Sequence, residues 1–245
     1  MFNWLSKRDM SPEIMDDLAL GGSQIGYALD DIERVNRYLG GYYPLKKGMK
    51  DFARDLYRQE KRPVRIVDLG CGGGDGLRYL ARFFRNQGIP VELLGIDANP
   101  HVLDYARRKS AQVPEVQYLQ GRLPEVLTGL SGDIFVCSLF LHHFPDEEVI
   151  TLLHKIQREC SPLLILVNDL HRHWLAFLLF QFWSRLTRMS LMARKDGLLS
   201  IKKAFCRGEL LQIVESCDGM QYHLRWCWAF RWQLLLYKPG YEFRT

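Results

Sequence analysis

The sequence has no C-x-x-C pair, no internal repeat, and no unbroken apolar run near the roughly 20 residues that span a bilayer. Its six cysteines, Cys71, Cys137, Cys160, Cys206, Cys217 and Cys227, are scattered through apolar stretches. They are expected as buried thiols in a reducing compartment, not as a disulfide framework. Residues 1–10 lack the continuous apolar core of a secretory signal, so a cytoplasmic protein is expected. One-sided charge is missing too. The 33 Lys+Arg against 28 Asp+Glu leave a net +5, too mild to imply a nucleic-acid groove. No His, Cys and Asp fall at metal-site intervals, and no metal is expected.

What is present is a 245-residue chain, 47% hydrophobic and 25% charged, enough for the core of one α/β domain. Residues 1–60 read as an N-terminal helical cap, with Leu18, Leu29, Ile32, Val35 and Leu39 on one face and Gly40-Gly41 as a break. In residues 61–170 five strand-like runs alternate with helical ones: Val64 to Asp68, Val91 to Asp97, Val116 to Gln120, Asp133 to Ser138 and Leu163 to Asn168. That alternation predicts a mostly parallel sheet with helices on both faces. Helices are expected from Asp75, Pro100, Pro124 and Asp146; the Pro124 helix should reach Leu130. Residues 171–206 form an insertion, and 207–245 a final helix and two β-rich runs without a helix between them. These runs should pair as an antiparallel hairpin and complete seven strands. Trp226, Trp228, Phe230 and Trp232 alternate there, so they are expected on one face, as core in preference to the alternative of ligand stacking.

Asp68-Leu69-Gly70-Cys71-Gly72-Gly73-Gly74-Asp75 joins the first strand to its helix at the edge where open α/β folds bind ligands. A dinucleotide fingerprint needs a glycine five places after Gly70 or Gly72, where Asp75 and Leu77 stand, and this weakens an NAD-dependent oxidoreductase reading. With Val67 before it, Asp-x-Gly-x-Gly-x-Gly instead resembles the loop of class I, Rossmann-like S-adenosyl-L-methionine-dependent methyltransferases of the small-molecule type. The resemblance covers about residues 60 to 170. It implies S-adenosylmethionine as cofactor, with Asp68, Gly70, Cys71 and Gly72 against its methionine part. Asp97, followed by Ala98, closes the second strand, where a carboxylate can accept both ribose hydroxyls; the alternative is a cap for the helix at Pro100. The resemblance places Arg122 and Leu123 at the adenine edge, Ser138 at the end of the fourth strand, and Arg37 near the cofactor carboxylate. Arg122 departs from the acid usual there, and Arg37 reads equally well as a surface residue.

The segment Leu139-Phe140-Leu141-His142-His143-Phe144 lacks the Asn/Asp-Pro-Pro-aromatic motif of nucleic-acid amino-methyltransferases. His142 and His143 are the candidate bases for a hydroxyl acceptor; packing alone is the competing account. Asn168-Asp169 and His171-Arg172-His173 either line an acceptor pocket or, for Asp169, cap the next helix. The insertion begins with the apolar Trp174 to Trp183. Between Arg172 and Arg207 it sets eight Lys/Arg against the single acid Asp196. It is either an interfacial lid with peripheral membrane contact or a buried lid with a solvated basic face. Both favour a lipophilic or aromatic acceptor. O-methylation is expected first, and C-methylation of a quinol or polyketide second. A non-catalytic scaffold is the non-enzyme rival.

Overall fold

A computed structural model of the chain describes residues 3–217 and 219–240. Five strands run parallel: β1 (Val64–Leu69), β2 (Val91–Asp97), β3 (Val116–Gln120), β4 (Ile134–Ser138) and β5 (Leu164–Leu170). Two more, β6 (Gln221–Cys227) and β7 (Arg231–Tyr237), form the antiparallel hairpin, giving a seven-stranded sheet of order β3-β2-β1-β4-β5-β7-β6. The expected mixed α/β architecture is the observed one. β1 has β2 on one side and β4 on the other, so connections leave it in opposite directions and a crevice opens at its carboxyl end.

The helices α1 (Ser23–Tyr38), α2 (Tyr42–Glu60), α3 (Asp75–Asn86) and α4 (Pro100–Lys109) precede β4, and α5 (Asp146–Lys155) follows it. Val64 and Ile66 of β1 join one core with α2 and α3; Val67 and Leu69 join the other, with α5 and α8 (Arg207–Glu215). Successive strand side chains leave on opposite faces, so a sheet covered twice needs nearly continuous apolar strands. The helix expected after Pro124 is one 3-10 turn, Glu125–Leu127, because Pro124 and Gly129 leave room for little more. β5 runs to Leu170 and so takes in Asn168 and Asp169.

The insertion folds as two helices, α6 (Trp174–Leu186) and α7 (Leu191–Lys203). Ala28 of α1 packs on Met192 and Ala193 of α7, so cap and insertion close over the sheet edge together. Residues 8–16 strap this assembly down. Arg8 donates to the carbonyls of Lys203 (2.7 Å) and His142 (2.9 Å) and pairs with Asp146. The Asp196 carboxylate accepts the backbone N–H groups of Ile14 (2.9 Å) and Met15 (3.0 Å). Asp196→Ala strands both donors and should cost about 2 kcal/mol or more. Denaturant unfolding would show this loss, and limited proteolysis should cut the strap faster than in the wild type.

Candidate active site

A single cavity of about 1050 Å3 runs from the glycine loop to the insertion. That exceeds the usual size of a pocket for one drug-sized ligand and gives room for two. Gly70 and Gly72 both have positive φ (70° and 53°), a region costly for other residues. A side chain at Gly70 would strike Phe140, whereas Gly72 faces open space. Asp97 ties the second strand to this loop: Oδ2 accepts Gly72 N–H and Oδ1 accepts Asn99 N–H, each at 3.0 Å. The expected helix cap is Asn99, not Asp97, since Asn99 Oδ1 accepts His101 N–H at 2.9 Å.

Asp68 is buried, and its Oδ1 has no partner within the protein. Burial, with Asp75 and Asp97 nearby, pushes its carboxyl well above the usual range. Burial likewise raises Asp97, partly offset by its backbone donors, and holds the Cys71 thiol up. Cys71, Ala98, Arg122, Leu123 and Ser138 all line the cavity; Ser138 Oγ accepts Asn168 Nδ2 at 2.8 Å.

Arg37 does not reach the cavity. Its side chain is 60% exposed and pairs with Glu33 one turn back, because it lies on the outer face of α1. Besides Arg122, the arginine that lines the cavity is Arg231, at the start of β7, which local pattern gave no reason to single out.

His142 is buried between two carboxylates. Its Nδ1 lies 2.7 Å from Asp169 Oδ1, and its Nε2 lies 3.6 Å from Glu13 Oε1 and has no hydrogen-bond partner. Asp169 is thus a strand residue that holds a histidine; the helix-cap expectation fails because α6 is capped by His173. Glu13 also takes Ser200 Oγ–H at 2.9 Å and faces Lys203 Nζ at 3.5 Å. Burial pushes the His142 imidazole down, but Asp169 and Glu13 outweigh it and raise it to about 9. His143 Nδ1 sits 2.8 Å from Asp16, whose carboxyl is lowered to about 2 because His143 and Lys203 outweigh its burial. Glu13, His142 and His143 bring ligand-type atoms within 4.8 Å of one another, yet the buried Lys203 ammonium already supplies positive charge there.

Of the other sequence candidates, His171 lines the cavity and burial pushes it down to about 4, so it is neutral near pH 7. Arg172 is locked in an ion pair with Glu209 at 2.6 Å. The hairpin aromatics part company. Trp226 and Trp232 are paired across the hairpin and share a face as expected, but Trp232 is core whereas Trp226, on the edge strand β6, is exposed. Ala229 and Phe230 take positive φ in the turn, which breaks the alternation for Trp228 and Phe230, and these two line the cavity with Trp226.

A crevice at the sheet's switch point, floored by a glycine loop with an acid at the end of β2, is the ligand-binding arrangement of Rossmann-like α/β folds. Residues 66–162 match the family described as a methyltransferase domain. An uncharacterized methyltransferase of Synechocystis sp. is 27% identical over 174 residues, covering 62% of this chain and 74% of that one. The fatty-acid O-methyltransferase of Mycolicibacterium smegmatis is 28% identical over 40% of this chain and 30% of its own length. Apart from the Synechocystis protein, the curated relatives are matched over 29 to 38% of their lengths. Among solved structures, the plantazolicin methyltransferase BpumL in complex with a triazolic desmethylPZN analog and SAH superposes with TM-score 0.62 at 14% identity, covering 86% of this chain and 89% of that one. The chain thus carries a methyltransferase domain over residues 66–162 on the fold of class I S-adenosylmethionine-dependent methyltransferases.

The charged His142 has a measurable signature. Its folded pKa lies above the 6.5 of a free imidazole, so its contribution to stability is complete below about pH 6.5 and is lost as pH rises through about 9. Unfolding free energy should fall by up to about 1.4 kcal/mol per pH unit across that window. His142→Asn should remove this component of the slope, as read by denaturant titrations at several pH values.

Proposed function

We propose that this enzyme methylates an oxygen of a lipophilic or aromatic small molecule. The observation that carries the reading is one cavity with two unlike ends: a polar end at Asp68, Gly72 and Asp97, and an apolar end walled by Ile32, Val35, Leu175, Phe180, Trp183 and Met189. His142 stands at the same cavity wall. When bound, S-adenosylmethionine supplies a methyl group on a positively charged sulfur, which a nucleophile takes by in-line displacement.

The chain's own residues fit that cofactor. The unpartnered Asp68 Oδ1 suits an ammonium group, and Asp97, which lines the same cavity, would accept the ribose hydroxyls. The main chain at Gly121 to Leu123 is left for the adenine edge. At the other end the walls exclude water and align the acceptor, which is most of what a charge-dispersing displacement requires. A hydroxyl must also shed its proton, and His142, oriented by Asp169, offers Nε2 to receive it. An imidazole raised to about 9 is near the value of about 10 for a phenol, so the transfer is nearly balanced. The imidazolium so formed is stabilised by Asp169 and Glu13.

Incubation with isotopically labelled cofactor and an acceptor panel should give a mass gain on a phenol or a related hydroxyl compound. With that acceptor, kcat/KM should climb toward pH 9 as His142 loses its own proton. His142→Asn should lower turnover about 10²- to 10⁴-fold and abolish the climb. Unchanged turnover would remove the histidine from catalysis, and label on carbon would establish C-methylation.

The insertion supports delivery of the acceptor from a lipid surface. Phe182 and Leu186 are 68% and 69% exposed, beside Leu178, Leu179 and the exposed Arg185 and Arg188. Leu179 and Phe182 also line the cavity, so its mouth opens within this apolar rim. No helix among the described residues is long and apolar enough to cross a membrane. Arg172 and Lys203 are buried in ion pairs, so two of the eight basic residues counted between Arg172 and Arg207 face inward. The protein should co-sediment with anionic vesicles more than with neutral ones, and the double variant Phe182→Ser/Leu186→Ser should stay in the supernatant. Equal absence from both pellets would overturn the lipid contact.

A further inference from the structure

Arg231 is 2% exposed, yet it has no acid partner. Its Nη2 donates to Asn36 Oδ1 at 3.2 Å, while Nε and Nη1 have no partner in the protein. No carboxylate lies within 4.0 Å of it among the described residues. The acids whose charge it feels are already committed: Asp169 to His142, and Asp75 to Asn36 Nδ2 (3.0 Å) and the Tyr42 hydroxyl (2.9 Å). Burial pushes the guanidinium down only to about 10, so it is charged at neutral pH. A buried cation without a counter-charge is costly.

The place of this cation in the fold shows where compensation can come from. Arg231 opens β7 at the carboxyl edge of the parallel strands and projects to the α2 face, as Leu235 does four residues on. Asn36 of α1 links it to Asp75, the first residue of α3 beyond the glycine loop. The free nitrogens belong to a side chain that lines the large cavity but are themselves closed to water, so a bound molecule would meet them once the guanidinium turns toward the cavity. A planar guanidinium with several free donors matches a carboxylate, which can accept two parallel hydrogen bonds.

We propose that Arg231, held in orientation by Asn36, is the carboxylate-binding residue of the cavity. The inference rests on the cavity being the ligand site described above. The carboxylate comes either from the amino-acid end of the cofactor or from an acidic acceptor. Calorimetry separates these sources with three probes: S-adenosylhomocysteine, 5′-methylthioadenosine, which lacks the amino-acid end, and dodecanoate. Wild-type protein is compared with Arg231→Gln and with Arg231→Lys, which keeps the charge and loses the fork.

If the cofactor supplies the group, Arg231→Gln should weaken S-adenosylhomocysteine about 10- to 100-fold, Arg231→Lys less, and leave 5′-methylthioadenosine unchanged. That unchanged binding also reports an intact fold. If the acceptor supplies it, both nucleosides bind the variants as in the wild type, and dodecanoate binding is lost. Variants that bind all three probes like the wild type would overturn the proposal. Absence of heat from either nucleoside with wild-type protein would instead defeat the cofactor placement itself, a distinguishable failure.

Discussion

Asp169, His142, Glu13 and Lys203 share a volume almost closed to water, and the site depends on how their charges balance. Asp169 reaches this volume from β5, His142 from the loop after β4, Glu13 from the N-terminal strap and Lys203 from the end of α7. Removal of any one would leave an uncompensated charge where the dielectric is low, so each segment needs the others in place. The insertion, the strap and the sheet edge are therefore one electrostatic unit, although they lie far apart in the chain.

That coupling gives the cavity its asymmetry. Toward β1 and β2 the wall is main chain and carboxylate, with Asp97 fastening the glycine loop. Toward α1 and α6 the wall is aliphatic and aromatic, and the histidine sits between. A methyl donor that carries positive charge is matched by the first wall, and a poorly hydrated acceptor by the second. Charge is neutralised in the displacement, so a dry, prearranged site serves it better than an additional ionic group would.

Much of this was legible in local pattern. Alternating apolar runs and the Asp68 to Asp75 segment declare strand, loop and helix, because strand periodicity and glycine's conformational freedom are properties of neighbouring residues. Asp97 was legible for the same reason, being the last residue of a recognisable strand. Glu13 was not, since its partners His142 and Lys203 lie 129 and 190 positions away (142 − 13 and 203 − 13). Trp228 and Phe230 misled because a period of two holds only while the strand lasts, and the turn at Ala229 and Phe230 ends it; Trp226 and Trp232 keep to one face.

The exchange of Arg37 for Arg231 marks the boundary most clearly. Both are arginines near glycines or strand ends, and their local context does not tell them apart. Arg37 falls on the solvent side of α1, whereas Asn36, one residue earlier and about 100° around the helix, accepts a hydrogen bond from Arg231. Sequence alone settled the order of strands and helices along the chain and the glycine loop after β1, which are encoded within short stretches. Which charges become buried, and which of them stay unpaired beside the cavity, was decided by tertiary packing, because burial is a property of the neighbours that folding brings together.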